Sequence, residues 1–188
     1  MQMQLRRIGH AMTRRSFLGS ALLLAAPVVV GGHATAAILN RDRRDLAFEN
    51  LHTGEQLNIV YFSYRQYVPE ALRQINWVLR DVRTGESAPI DPRLLDLLFR
   101  LRLAVAASSN FQVISGYRSP KTNALLASRS EGVALKSLHT QGKAIDIRVP
   151  GISLRQLRDA AKSLKAGGVG YYSQSNFVHV DIGRVRFW

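Results

Sequence analysis

Ser137-Leu138-His139-Thr140-Gln141-Gly142-Lys143-Ala144-Ile145-Asp146 and, further along, Phe177-Val178-His179-Val180-Asp181 gather two histidines and two carboxylates into short, strand-like segments of a chain with five histidines in 188 residues. Side chains on a strand alternate between faces. In Ala144 to Val149 the apolar Ile145, Ile147 and Val149 share one side, so Ala144, Asp146 and Arg148 face the other. In Phe177 to Ile182 the apolar set is Val178, Val180 and Ile182, which leaves Phe177, His179 and Asp181 together. If these strands are neighbours, Asp146 and His179 approach to about 5 Å between β-carbons. His139, at the mouth of the Gly142 turn, can add a third ligand, and Asp181 sits on the ligand face roughly 7 Å along the strand from His179. A single histidine or aspartate on a strand is ordinarily solvated or hydrogen-bonded. Several on compatible faces, beside a glycine that permits a sharp turn, point to a mononuclear metal site. Borderline ions such as zinc take imidazole nitrogen and carboxylate oxygen and leave a position open for water.

The absence of cysteine excludes disulfides, thiolate sites and a cysteine nucleophile, so any metal must be held by histidine and carboxylate. Residues 1–36 have the parts of an export signal: Arg6, Arg7, Arg14 and Arg15, an apolar run from Phe17 to Val30, and a small-residue cleavage site at Ala34-Thr35-Ala36. Thr13-Arg14-Arg15-Ser16-Phe17-Leu18 resembles the twin-arginine motif, which implies passage through the twin-arginine export machinery to a periplasmic location. The run is shorter than the roughly 20 residues needed to cross a bilayer and contains Pro27, so no stable span is expected after cleavage. Residues 37–188 then form one domain.

The net charge is +13, and loss of the four signal arginines leaves +9, a balance that suits an anionic partner such as wall peptides or envelope phosphates. The arginines form no basic cluster interleaved with aromatics, which argues against nucleic acid. Leu46 to Leu51 and Gln56 to Phe62 read as a hairpin around Thr53-Gly54, with His52 a solvated turn residue. Helices are expected from Pro69 to about Val82, from Leu94 to Ala107 behind an Asp91-Pro92 cap, near Lys121 to Ala127 behind Ser119-Pro120, and from Ser153 through Leu164. Phe111 to Ser115, Lys143 to Val149, Val169 to Tyr172 and Phe177 to Ile182 read as strands, and the polar stretch Ser128 to Ser137 as a loop that could border a cleft. The order favours an α+β domain with a small, mainly antiparallel sheet and flanking helices.

Ser115-Gly116-Tyr117-Arg118-Ser119, the His139 to Asp146 segment, Gly170-Tyr171-Tyr172 and Phe177-Val178-His179-Val180-Asp181 together resemble the M15-type zinc peptidases of bacterial cell walls. The closest likeness is to the exported murein endopeptidase K group, including the Val185-Arg186-Phe187-Trp188 segment, and it runs from about Leu46 onward. The resemblance implies the fold shared by D-alanyl-D-alanine peptidases and the zinc-binding domain of Hedgehog proteins. It further implies zinc on His139, Asp146 and His179, an oxyanion-stabilising Arg118, and hydrolysis of cross-links between peptidoglycan stem peptides. Ser137, Gln141 and Tyr117 are candidates for binding the peptide. Many relatives carry a glutamate base three residues before the last histidine ligand, where this chain has Asn176. Asp181 is the candidate base in its place, and the competing role for it is to orient a ligand histidine. A D-alanyl carboxypeptidase, a non-catalytic zinc-containing wall-binding module and a metal-free binder of anionic envelope polymers are the alternatives.

Overall fold

A computed structural model describes residues 42–129, 134 and 136–188. Residues 1–36, expected to be an export signal, and part of the polar loop after Ser128 lie outside the described residues. Strands β1 (Arg44–Asn50) and β2 (Gln56–Ser63) form the expected hairpin, with Glu49 opposite Gln56, and β2 turns back into the short β3 (Gln66–Tyr67). Helices α1 (Pro69–Val78) and α2 (Pro92–Ala104) follow, then β4 (Phe111–Ser115) and α3 (Pro120–Ala127). A 3-10 turn at Leu138–Gln141 leads into β5 (Ala144–Arg148), α4 (Leu154–Ser163), β6 (Gly168–Tyr172), β7 (Phe177–Asp181) and β8 (Arg186–Phe187).

The strands make one sheet in the order β3-β2-β1-β4-β5-β7-β6-β8. Five neighbouring pairs are antiparallel, as the short connections led one to expect. The sheet is nevertheless mixed, because β1 runs parallel to β4 and β6 parallel to β8. The first of these joins elements separated by two helices, and such a crossover leaves no local pattern for sequence reasoning to find.

Local chemistry explains the helix starts. Asp91 accepts from the Arg93 amide with Pro92 in the first turn, Ser119 accepts from the Thr122 amide ahead of Pro120, and Ser153 forms a capping box with Gln156. Each satisfies amides that a helix leaves unpaired. Helix α1 stops at Val78 and α2 at Ala104, a few residues before the expected ends.

The core lies on the helical face of the sheet. Leu94, Leu95, Leu98 and Leu101 of α2 are fully buried against Leu46 and Phe48 of β1 and the inner residues of β5 and β7, Ile145, Ile147, Val178 and Val180. Burial of each such side chain is worth about 1.5–3 kcal/mol. With these alternate residues committed to the core, Asp146, His179 and Asp181 must stand on the other face.

Candidate metal centre

Three elements deliver the candidate ligands. Asp146 of β5 and His179 of β7 are direct cross-strand partners, as their alternation required. His139 comes from the 3-10 turn, whose first amides are capped by Ser137: its hydroxyl accepts from the His139 amide at 3.3 Å. Gly142 then turns the chain into β5 at φ 64°. A side chain there would place its Cβ 2.1 Å from the Pro89 carbonyl oxygen, so only glycine fits. All three candidate ligands are buried.

Their donor atoms converge. His179 Nδ1 lies 2.8 Å from Asp146 Oδ1, and His139 Nε2 lies 3.3 Å from the same oxygen and 3.2 Å from His179 Nδ1. Two atoms on a tetrahedral zinc at about 2.0–2.1 Å are roughly 3.3 Å apart, so the triangle has the size of one face of such a site. The outer ring nitrogens decide what the inner ones carry. His139 Nδ1 sits 2.8 Å from the Gly116 carbonyl oxygen and His179 Nε2 sits 3.0 Å from Asp181 Oδ2, so each outer nitrogen must hold the proton and donate it. In the neutral form that a metal ligand requires, both imidazoles therefore turn lone pairs inward, beside a carboxylate oxygen. Three converging lone pairs repel one another unless a cation or a proton stands between them, and the donor set fits a divalent metal. Burial pushes the Asp146 carboxyl up, but the two histidines outweigh it and hold it below the usual carboxylate range. Burial pulls His179 down, but Asp146 and Asp181 outweigh it and leave it above its ordinary value.

Asp181 is on the face expected of it but behind the imidazole rather than in the cleft. Its Oδ2 meets His179 Nε2 and, at 2.7 Å, Arg186 Nη2, while Oδ1 accepts from the Gly168 and Gly183 amides at 3.0 and 2.8 Å and from Arg186 Nη1 at 3.1 Å. It is fully buried, and these donors override burial and hold its carboxyl well below the usual range. Of the two roles expected of Asp181, base and orienter of a ligand histidine, a saturated carboxylate on the far ring nitrogen matches the geometry of the second.

Arg118 reaches the same cleft from the loop after β4. Its Nη2 is 3.5 Å from Asp146 Oδ2 and 3.3 Å from Ser115 Oγ, and its Nη1 is 3.5 Å from Asn123 Oδ1. Burial lowers its pKa from the ordinary value, with Asp146 opposing. The cleft has a volume of about 300 Å³, and Ser137, Lys136 and Ala134 line it, so the polar loop does border it. Gln141 does not: it is exposed and accepts from Lys143 Nζ at 3.1 Å. Tyr117 is half-buried, packs against the core and lines a separate small recess behind Arg118. These two substrate-binding candidates thus stand apart from the cleft. Asn176 is an exposed turn residue with φ 55°. His52 is outside the site, its Nε2 3.0 Å from the Ile114 carbonyl oxygen. Sequence reasoning missed Tyr172, Phe177 and Trp188 as cleft-lining residues, although their segments were singled out; nothing local says that an aromatic near a strand end folds back over a histidine.

A mixed α+β sheet that presents a buried His-Asp-His triangle and an arginine to an open cleft has the arrangement expected of an M15-type peptidase. The family model for Peptidase_M15_2, described as peptidoglycan L,D-endopeptidase MepK, matches residues 39–188, and the chain belongs to this family. It is 43% identical over 175 residues, 93% of this chain and 96% of the relative, to the peptidoglycan L,D-endopeptidase MepK of Escherichia coli (strain K12). It is 40% identical over 146 residues, 77% of this chain and 78% of the relative, to a Haemophilus influenzae protein named probable peptidoglycan L,D-endopeptidase MepK.

Proposed function

We propose that this protein is a zinc-dependent endopeptidase that hydrolyses cross-links between peptidoglycan stem peptides. The observation that carries the reading is the convergence of His139 Nε2, Asp146 Oδ1 and His179 Nδ1, all with inward lone pairs, on the wall of an open cleft beside Arg118. The names of the relatives support the substrate class. Zinc held by His139, Asp146 and His179 would supply a Lewis acid and activate water for attack on the peptide carbonyl.

The chain's own residues supply the rest. Gly116 and Asp181 fix the two imidazole tautomers, so the ligand set is ready without rearrangement. The Arg118 guanidinium, held between Ser115, Asn123 and Asp146, donates to the carbonyl oxygen as it gains negative charge. Water adds to the carbonyl carbon, the C–N bond breaks, and the departing amine takes a proton. Asp146 is the one carboxylate among the described residues lining the cleft, and in this reading Asp181 orients His179 and is not the base.

The same reading places the protein in the periplasm, with residues 1–36 as a twin-arginine signal removed on export. Replacement of Arg14 and Arg15 by lysine would retain the unprocessed chain in the cytoplasm. The activity is tested by mass spectrometry of cross-linked muropeptides incubated with residues 37–188, first with a chelator and then with zinc restored. Zinc-dependent release of monomers is expected, and the masses identify the bond. Loss of a terminal D-alanine with the dimers intact would make the protein a carboxypeptidase instead, and intact, untrimmed dimers beside a zinc-loaded protein would make it a wall-binding module.

A further inference from the structure

Trp188 is held in place yet half uncovered. Its backbone is zipped to the sheet edge, with its amide donating to the Val169 carbonyl at 3.2 Å and its carbonyl accepting from the Tyr171 amide at 3.0 Å. The indole turns inward over Gly170, the residue of β6 paired with His179, and lies 5.3 Å from the His179 ring at an angle of 47°. A Cβ at Gly170 would stand 2.7–2.8 Å from three indole atoms, so the ring occupies space that glycine alone leaves open. Trp188 Nε1 donates to Tyr172 Oη at 2.8 Å, and the Arg186 guanidinium, the group that grips Asp181, covers the ring at 4.8 Å. Tyr172 in turn stacks on Phe177 at 4.6 Å. Despite these restraints Trp188 keeps 50% of its surface exposed and lines the cleft with Tyr172 and Phe177.

A large apolar surface fixed in place and left open to water beside reactive groups is a binding surface. Resting on the peptidase reading above, we infer that Trp188 is a specificity-determining residue: its indole, extended by Tyr172 and Phe177, forms the wall against which the aliphatic chain of the stem-peptide residue next to the scissile bond lies. The platform is fixed relative to His179 because the cross-strand partner of His179 is the glycine beneath the indole. Peptide residues that lack a long hydrocarbon chain would leave it uncovered. Lys136 also lines the cleft and is available for a carboxylate of the same peptide.

The test joins kinetics to a signal that needs no turnover. Trp188→Ala is expected to raise KM for a cross-linked muropeptide dimer roughly five- to twenty-fold with kcat within about threefold and zinc content unchanged, and Trp188→Phe to raise it roughly two- to threefold. Gly170→Ala, which displaces the indole without removing it, should move KM in the same direction and carries the kinetic arm with Trp188→Phe if Trp188→Ala does not fold. The chain has two tryptophans, so in a Trp77→Phe background Trp188 alone reports. Titration of that zinc-loaded protein with the monomeric muropeptide should give a saturable change in emission. Unchanged KM with a fall in kcat or in bound zinc would reduce Trp188 to a packing partner of His179 and overturn the inference. Silent emission would do the same. If the parent protein cleaves nothing, the peptidase reading fails, and the titration still decides whether Trp188 meets the peptide.

Discussion

Two carboxylates, Asp96 on helix α2 and Asp146 on the interior strand β5, show what separates a structural cluster from a reactive one. Asp96 of α2 accepts from Arg44 at 2.6 Å and Tyr61 at 2.9 Å on one oxygen and from Tyr67 at 2.8 Å on the other. Each partner owns its proton outright, and burial together with the Asp96 charge pushes the Tyr61 hydroxyl further up, so the cluster is complete in itself. Asp146 also meets ring and guanidinium nitrogens, but its two histidines spend their protons on Gly116 and Asp181 and turn lone pairs toward it. Satisfied donors make a scaffold, and converging acceptors make a place for a cation.

The widest break in that comparison comes from Asp146→Ala. It should abolish stoichiometric zinc and lower endopeptidase turnover by about 10³-fold or more while circular dichroism and cooperative unfolding persist, because several kcal/mol of transition-state stabilisation go with the metal. A folded, zinc-loaded Asp146→Ala protein would overturn the ligand assignment. Arg118→Lys comes next: a point charge in place of a fixed fork should lower kcat by about 10²-fold, with zinc content unchanged in the same assay. Asp181→Asn, whose amide can still accept at one atom, should weaken zinc affinity or activity by about 10- to 100-fold as His179 loses its anchor. A greater loss in kcat than in zinc affinity would return Asp181 to the role of base. Away from the site, on α2, Asp96→Ala should leave turnover within about twofold but lower unfolding free energy in urea by about 1–3 kcal/mol, since Tyr61 and Tyr67 lose their acceptor.

The smallest effect concerns acid. Burial pushes the Asp81 carboxyl up, but Thr122, Ser119 and the Ser119 and Arg83 amides outweigh it and hold it at about 2, below an ordinary 3.8. A depressed carboxyl contributes stability that is present above its unfolded value and lost as pH falls through its folded one. Urea midpoints should therefore drop between about pH 3.8 and 2, and Asp81→Asn should flatten that part of the profile. Asp81 tethers the segment that presents Arg118, through the Ser119 amide at 2.8 Å, so it links scaffold to site.

Much of the site was legible because strand alternation is a local property: Ile145 and Ile147 committed one face of β5, Val178 and Val180 one face of β7, and Asp146 and His179 were left together. Capping residues placed the helix starts for the same reason, since Asp91, Ser119 and Ser153 act on amides two or three residues away. Gln141 and Tyr117 lie apart from the cleft because the turn and the core, not the cleft, set their positions. Asp181 shared a face with His179, but a shared face does not say which ring nitrogen a carboxylate meets.

Composition, periodicity and motif determined by themselves that the chain has one α+β domain, no thiol chemistry, and a His139, Asp146 and His179 set on compatible faces. Contacts between distant segments decided the parallel pairing of β1 with β4, the Gly116 carbonyl and Asp181 that set the tautomers, the arrival of Arg118, and the indole of Trp188 over Gly170. The physical reason is range. Side-chain alternation and capping act over a few residues, whereas a lone pair, a wall or a cation's position is fixed only when segments far apart in the chain are packed to within a few ångströms.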